Sequence, residues 1–145
     1  MNTIYRSLAM LLICCTVFSC KKDSADTGPA PETITNFKAT LNGANAGTPS
    51  AATGTFTGTY NRTTKTLTFT LTYTGLTPIA WHIHSVGNGS IEFPLGPIVP
   101  SPLESSVSGF TASEESDLFE NKFYVNIHSD AYAGGEISGI IEKQQ

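Results

Sequence analysis

The three histidines of the chain lie in two short segments that resemble each other. His82 and His84 belong to the sequence AWHIHS at 80–85, and His128 belongs to YVNIHS at 124–129. Side chains alternate between the two faces of a strand, so His82 and His84 share a face with their Cα atoms about 6–7 Å apart. An imidazole from a neighbouring strand would complete the three-nitrogen set found at many zinc and copper sites.

Apolar residues alternate with the histidines in both segments. They are Ile79, Trp81 and Ile83 in the first segment, and Phe123, Val125 and Ile127 in the second. We therefore expect both strands to turn an apolar face to the core and their histidines to the opposite face. If the strands are neighbours in one sheet, His82, His84 and His128 form a cluster.

Two interpretations of this cluster stay open. In the first, the histidines bind zinc or copper, and Glu136 supplies a carboxylate ligand or orients a ring from the second coordination shell. In the second, the cluster is structural, with Tyr124, Asn126 and His128 hydrogen-bonded to a covering loop. The glycine pair that ends at Gly135 marks the turn that would bring Glu136 to this place.

Period-two alternation predicts that the elements carrying these residues are strands. It is clearest in TLTFTLTYT at 66–74, where Thr alternates with Leu, Phe and Tyr. We expect further strands at 37–41, 54–60, 79–85, 90–95, 107–111, 123–129 and 136–141, and a crossing loop at 96–107. Thr111 and Glu114 form a capping box that predicts one short helix ending near Asn121. The predicted fold is an all-β, antiparallel β-sandwich of about eight strands, immunoglobulin-like or dismutase-like, with one short helix.

The N-terminus reads as an export signal. Residues 1–19 combine Arg6 with an apolar stretch too short to span a bilayer, and Val17 to Cys20 resembles a bacterial lipobox. We expect residues 1–19 to be a lipoprotein signal peptide, Cys20 to be lipidated, residues 20–34 to be a tether, and residues 35–145 to be the domain. Cys14 and Cys15 would leave with the signal peptide, so the mature domain would have no disulfide.

The composition of the chain and its predicted lipid anchor indicate where the protein is located and which kinds of partner it has. The net charge is -4 and only 14% of residues are charged. Scattered basic residues do not form the positive surface that nucleic-acid binding requires, so we exclude a nucleic-acid partner. The lipid predicts a membrane partner and a position in the bacterial cell envelope, at the outer membrane, on the periplasmic face or the cell surface. The sequence identifies no protein or glycan partner.

With these residues laid out, the chain from Phe37 to Ile141 resembles the CHRD domain family. The likeness rests on FKATLNG at 37–43, ATGTF at 52–56, YTGLTPIAWHIHS at 73–85 and KFYVNIHSDAYAGGEISGII at 122–141. It implies an extracytoplasmic β-sandwich module of the immunoglobulin-like or a related type, and structural roles for Tyr124, Asn126, Gly135 and Glu136. The chain departs from the family pattern at Ser138 and Ile140, and at Ala44 and Asn45.

A fainter resemblance links GLTPIAWHIHSVGNGS at 75–90 to the copper-binding strand of Cu/Zn superoxide dismutase. It would make His82 and His84 ligands and His128 a third, but the chain has no further histidine for a second metal. We expect a non-enzymatic binding or structural module, in which binding of zinc or copper by the three histidines is one of the two open interpretations of the cluster. The alternative is a mononuclear zinc- or copper-dependent enzyme, which would need an open coordination position facing a cleft.

Overall fold

The computed structural model describes residues 33–145, and in this part of the chain it has nine strands and two short helices. The strands are β1 Ile34–Asn42, β2 Thr53–Asn61, β3 Thr66–Thr74, β4 Ala80–Ser85, β5 Ile91–Pro94, β6 Leu103–Ser108, β7 Phe123–Ser129, β8 Tyr132–Ile140 and β9 Glu142–Lys143. The helices are α1 Gly43–Ala46 and α2 Ala112–Phe119.

The predicted signal peptide, the lipidated Cys20 and most of the predicted tether lie outside the described residues. Ile34, the last residue of the expected tether, already belongs to β1. No helix within residues 33–145 has the length and apolar character needed to cross a membrane.

All strand pairs are antiparallel, and the strands follow the order β5-β4-β7-β8-β1-β2-β3-β6, with β9 beside β1. Strands β8 and β1 pair through a single residue couple, Ser138 with Asn42, so the sheet is weakly joined there. Across the interior, the rings of Tyr73 on β3 and Trp81 on β4 are 6.0 Å apart. The sheet is thus wrapped into a nearly closed, sandwich-like barrel, which confirms the predicted all-β antiparallel fold.

Alternation builds the core, because each long strand buries every second residue. In β2 the sequence TGTFTGTYN buries its glycines, Phe56 and Tyr60, while the threonines stay exposed. In β3, Leu67, Phe69 and Leu71 are buried beside them. Aromatic stacking of Phe56 on Phe69, with centroids 5.1 Å apart, joins the two strands.

The predicted helix is confirmed. The Thr111 hydroxyl accepts from the Glu114 backbone N–H at 3.2 Å, and the Thr111 N–H donates to the Glu114 carboxylate at 2.7 Å. Helix α2 buries Leu118, and Phe119 packs edge-on against the ring of Phe37. The helix begins where the sequence placed it, because the reciprocal cap satisfies two backbone N–H groups.

Two local predictions were wrong. Residues 103–106 were expected in a loop and 109–111 in a strand, whereas β6 pairs with β3 from Leu103 opposite Leu71 to Ser108 opposite Thr66. Gly109, at φ 80°, ends this strand. The second is the turn expected at the glycine pair that ends at Gly135, because both glycines lie within β8. No element was expected at residues 43–46. There the Asn42 side chain accepts from the Asn45 N–H at 2.8 Å and caps the short helix α1.

Candidate metal centre

Strands β4 and β7 are neighbours, so the register brings the histidine segments together. His82 lies opposite Asn126, His84 opposite Tyr124, and Ala80 opposite His128. One ring nitrogen from each of the three histidines lies within 4.8 Å of the others. Within residues 33–145, this is the one group of three or more His, Cys, Asp or Glu side chains with the spacing of a metal site.

The two half-buried histidines contact each other directly. His82 Nδ1 is 3.2 Å from His128 Nε2, and His128 Nδ1 is 2.8 Å from the Ala133 carbonyl oxygen. A carbonyl oxygen only accepts, so His128 carries its proton on Nδ1 and presents a lone pair on Nε2. His82 Nδ1 therefore donates to that lone pair. Burial holds the pKa of His82 below its ordinary value. The positive charges of protonated His128 and His84 lower the pKa of His82 further.

The third histidine is held more tightly. The His84 side chain is 7% exposed, and its Nδ1 donates to the Gly89 carbonyl oxygen at 2.9 Å. Its Nε2 lies 3.1 Å from the Asn126 side-chain oxygen. The ring also stacks on that of Tyr124, with centroids 5.0 Å apart and 10° between the planes. Both ring nitrogens of His84 are thus engaged by protein groups.

The contact between His84 and Asn126 has two chemically consistent forms. A doubly protonated His84 donates from Nε2 to the Asn126 carbonyl oxygen. A neutral His84 has a lone pair at Nε2, and it accepts from the Asn126 amide group once the carboxamide is rotated by 180°. In both forms Asn126, which is 3% exposed, occupies the one ring nitrogen of His84 that a metal would use.

Gly135 leaves room for Asn126. Its φ is 117°, and a Cβ atom at this position would lie 2.9 Å from Asn126 Nδ2. Only glycine adopts this backbone conformation without strain. Tyr124, Asn126 and Gly135 thus pack around His84, and the structural roles expected for them stay predictions.

Glu136, which was expected to bind the metal or to orient a histidine ring, is hydrogen-bonded to Ser50 and Thr48. The Glu136 carboxylate accepts from the Ser50 hydroxyl at 2.6 Å, and the Glu136 backbone oxygen accepts from the Thr48 hydroxyl at 2.8 Å. None of the side-chain hydrogen bonds among residues 33–145 joins Glu136 to a histidine. The hydrogen bonds of Glu136 thus join the segment after α1 to β8. The role expected for Glu136 toward a metal stays a prediction.

Sequence reasoning missed the backbone partners of the cluster. The Gly89 carbonyl group, which orients His84, belongs to the β4–β5 connection, and the Ala133 carbonyl group, which orients His128, belongs to the start of strand β8. The glycines suggested turns at 87–90 and at 133–136, and the second of these predictions was wrong because residues 133–136 lie in β8. Every residue offers a carbonyl group, so only the folded chain shows which one reaches a ring.

The fold and this site define an antiparallel β-sandwich domain that carries a three-histidine cluster on the neighbouring strands β4 and β7. The family model of the CHRD domain matches residues 37–141, and the chain belongs to this family. Membership supports a binding or structural module of the extracytoplasmic type. No curated protein matches the chain in a sequence comparison.

Proposed function

We propose that the protein is a lipid-anchored CHRD module of the bacterial cell envelope that binds a zinc or copper ion through His82, His84 and His128, without catalysing a reaction. The observation that carries the metal proposal is the convergence of three ring nitrogens within 4.8 Å. Imidazole nitrogens suit zinc and copper, and three of them make up a common ligand set.

The pair formed by His82 and His128 already has the spacing of a metal site. Zinc–nitrogen bonds of about 2.0–2.1 Å in a tetrahedron place two ligand nitrogens roughly 3.3 Å apart. The observed distance between His82 Nδ1 and His128 Nε2 is 3.2 Å. When neutral His82 carries its proton on Nε2 instead of Nδ1, the pair presents two lone pairs at ligand spacing, and two metal bonds replace the hydrogen bond.

His84 must leave one partner to complete the set. The hydrogen bond from its Nδ1 to the Gly89 carbonyl group orients the ring, in the way that a hydrogen-bond partner commonly orients a histidine bound to a metal. Its Nε2 faces Asn126, so the Asn126 carboxamide must turn away before Nε2 binds the ion. Metal affinity is thus reduced by the free energy of this one contact.

Elemental analysis tests the metal proposal. The untagged protein, prepared without chelators and equilibrated with zinc or copper, is expected to hold about one ion per chain after desalting. His82→Ala is expected to lose it, whereas Tyr132→Phe, a variant of an aromatic residue outside the cluster, is expected to keep it. A wild-type protein that retains neither ion contradicts the proposal.

Fractionation tests the anchor separately. The apolar N-terminal stretch and the lipobox-like Val17 to Cys20 support attachment through lipid on Cys20. The wild-type chain is expected in the membrane fraction, and the Cys20→Ala variant in the soluble fraction. A variant that still sediments with membranes would remove the lipid anchor from the proposal and leave the metal proposal intact.

A further inference from the structure

A groove on the outer face of the sheet lies beside the histidine cluster. Its volume is about 580 Å³. We call it the outer groove, and its defining residues are Thr40, Asn45, Val86, Tyr124, Asn126 and Ser138. None of the three histidines lines it, so the groove lies next to the proposed metal site without including its ligands.

The strand register sets a polar row into the floor of the groove. Asn126 on β7 lies opposite Ser138 on β8, and Ser138 lies opposite Asn42 on β1. On the other side of Asn126, His82 on β4 lies opposite it and extends the same row. The outer groove therefore begins on the strand next to β4, and Asn126 both lines the groove and contacts His84.

Several hydrogen-bonding groups in the groove are free to bind a ligand. Ser138 is 8% exposed, yet none of the side-chain hydrogen bonds among residues 33–145 uses its hydroxyl group or that of Tyr124. One carboxamide atom of Asn126 faces His84, and the other lies beside Gly135. The hydroxyl groups of Ser138 and Tyr124 line the groove and have no protein partner among the described residues, so they are available to a ligand that donates and accepts hydrogen bonds.

The groove also has an apolar side. Val86 is 49% exposed and Ile140 is 40% exposed, and both line it. Ile140 lies directly opposite Tyr124 in the β7–β8 register. The ligand therefore meets C–H surface on one side and hydroxyl and amide groups on the other.

Charge narrows the class of ligand. The described residues that line the groove include no Lys, Arg or His, and Glu142 is the single charged one. An anionic ligand would be repelled by this carboxylate and would find no basic partner. One exposed carboxylate also falls short of the several oxygen ligands that a hard cation requires.

We propose that the outer groove binds a neutral saccharide. A sugar ring has an apolar C–H face and a rim of hydroxyl groups, and these match the Val86–Ile140 side and the Ser138–Tyr124 polar groups. A groove of this volume lies within the range of small-ligand sites, roughly 300–1,000 Å³. The proposal does not require a bound metal, because its ligand contacts no histidine, but the two sites share Asn126 and Tyr124, which line the groove and also contact His84.

The test uses the full chain, purified in mild detergent, on an array of neutral and anionic oligosaccharides printed beside uncharged Ser- and Gly-rich peptides. The expected result is binding to at least one neutral oligosaccharide. Ser138→Ala and Tyr124→Phe each remove a hydroxyl group and keep the rest of the side chain's packing. We expect each to weaken binding about fivefold, the effect of one lost hydrogen bond.

Tyr132→Phe is the matched control, since Tyr132 does not line the groove; it is expected to bind as the wild type does. Absence of binding to every neutral oligosaccharide overturns the proposal. So does a preference for anionic oligosaccharides, retention on the peptides alone, or binding that Ser138→Ala and Tyr124→Phe leave unchanged. Circular dichroism of both variants separates loss of binding from loss of fold.

Discussion

The Nε2 atom of His84 lies 3.1 Å from the side-chain oxygen of Asn126, and this contact joins strand β4 to strand β7. Because the Gly89 carbonyl group engages the other ring nitrogen, Asn126 holds the only position through which His84 could bind an ion. Asn126 and a metal therefore compete for one atom.

Replacement of Asn126 by alanine removes this competitor. We expect Asn126→Ala to raise zinc affinity about fivefold, corresponding to a hydrogen bond of about 1 kcal/mol, as measured by calorimetric titration. The same variant should lower the free energy of unfolding, because a buried side chain is lost. Asn36→Ala, at an exposed position of β1, is the control and should leave zinc affinity unchanged. Weaker zinc binding by Asn126→Ala would show that Asn126 supports the site.

The two adjacent glycines of β8 should respond differently to alanine. Gly135→Ala should lower the free energy of unfolding by about 1–3 kcal/mol, because its φ of 117° and the 2.9 Å approach to Asn126 both oppose a Cβ atom. Gly134→Ala should be neutral or stabilise the domain by up to about 1 kcal/mol, since nothing lies within 4 Å of its Cβ position. Urea unfolding of both variants measures the difference, and equal effects would contradict this account of Gly135.

Stability in acid should depend on Glu115. Its carboxylate accepts from Lys65 Nζ and from the Tyr60 hydroxyl at 2.9 Å, and it lies 3.6 Å from Arg62. The hydrogen bond from Lys65, more than any other contact, lowers the pKa of Glu115 against an opposing effect of burial. A lowered folded pKa stabilises the domain above the ordinary value of 4.5, and this contribution disappears as the pH falls through the folded pKa.

Glu115→Gln should thus be less stable than the wild type at pH 7 by about 1–2 kcal/mol, the effect of hydrogen bonds to a charged group. The difference should shrink as the pH is lowered below 4.5. Thermal unfolding between pH 3 and pH 7 measures it, with Glu104→Gln at an exposed position of β6 as the control. A difference that stays constant over this range would mean that the Glu115 charge does not contribute.

Two serines at the end of the barrel near Glu136 should behave in opposite ways. The hydroxyl of Ser129 is buried without a hydrogen-bond partner in the described part of the chain, so Ser129→Ala should be neutral or stabilise by about 1 kcal/mol. The hydroxyl of Ser50 donates to Glu136 and accepts from the Ala52 N–H, so Ser50→Ala should destabilise by about 1–3 kcal/mol. The midpoints of urea unfolding check both, and a large loss for Ser129→Ala would reveal a partner for its hydroxyl group.

The sequence predicted that the three histidines cluster, but it did not predict the groups that hydrogen-bond to them. Period-two alternation placed His82, His84 and His128 on one face, because a strand sets every second side chain on the same side. The capping box located the start of α2 for a similarly local reason. Strand adjacency, the Ser50–Glu136 bond across 86 positions and the carbonyl groups of Gly89 and Ala133 depend on long-range folding. Local periodicity contains no information about them.

The bounds of β6 were missed for a different reason. Its sequence LESSVS alternates only weakly, and it follows a proline-rich stretch that is typical of a loop. Pairing with Leu71 and its neighbours on β3 fixes the strand, so tertiary contacts decide the outcome where the local pattern is neutral.

The most direct measurement of metal binding is ¹⁵N NMR of the histidine rings during zinc titration of the untagged protein. We expect the ring nitrogens of His82, His84 and His128 to shift together and to stop changing at one equivalent of zinc, with His84 still protonated at Nδ1. Ring signals of all three histidines that stay unchanged through several equivalents would contradict metal binding and leave the cluster as a hydrogen-bonded brace between β4 and β7.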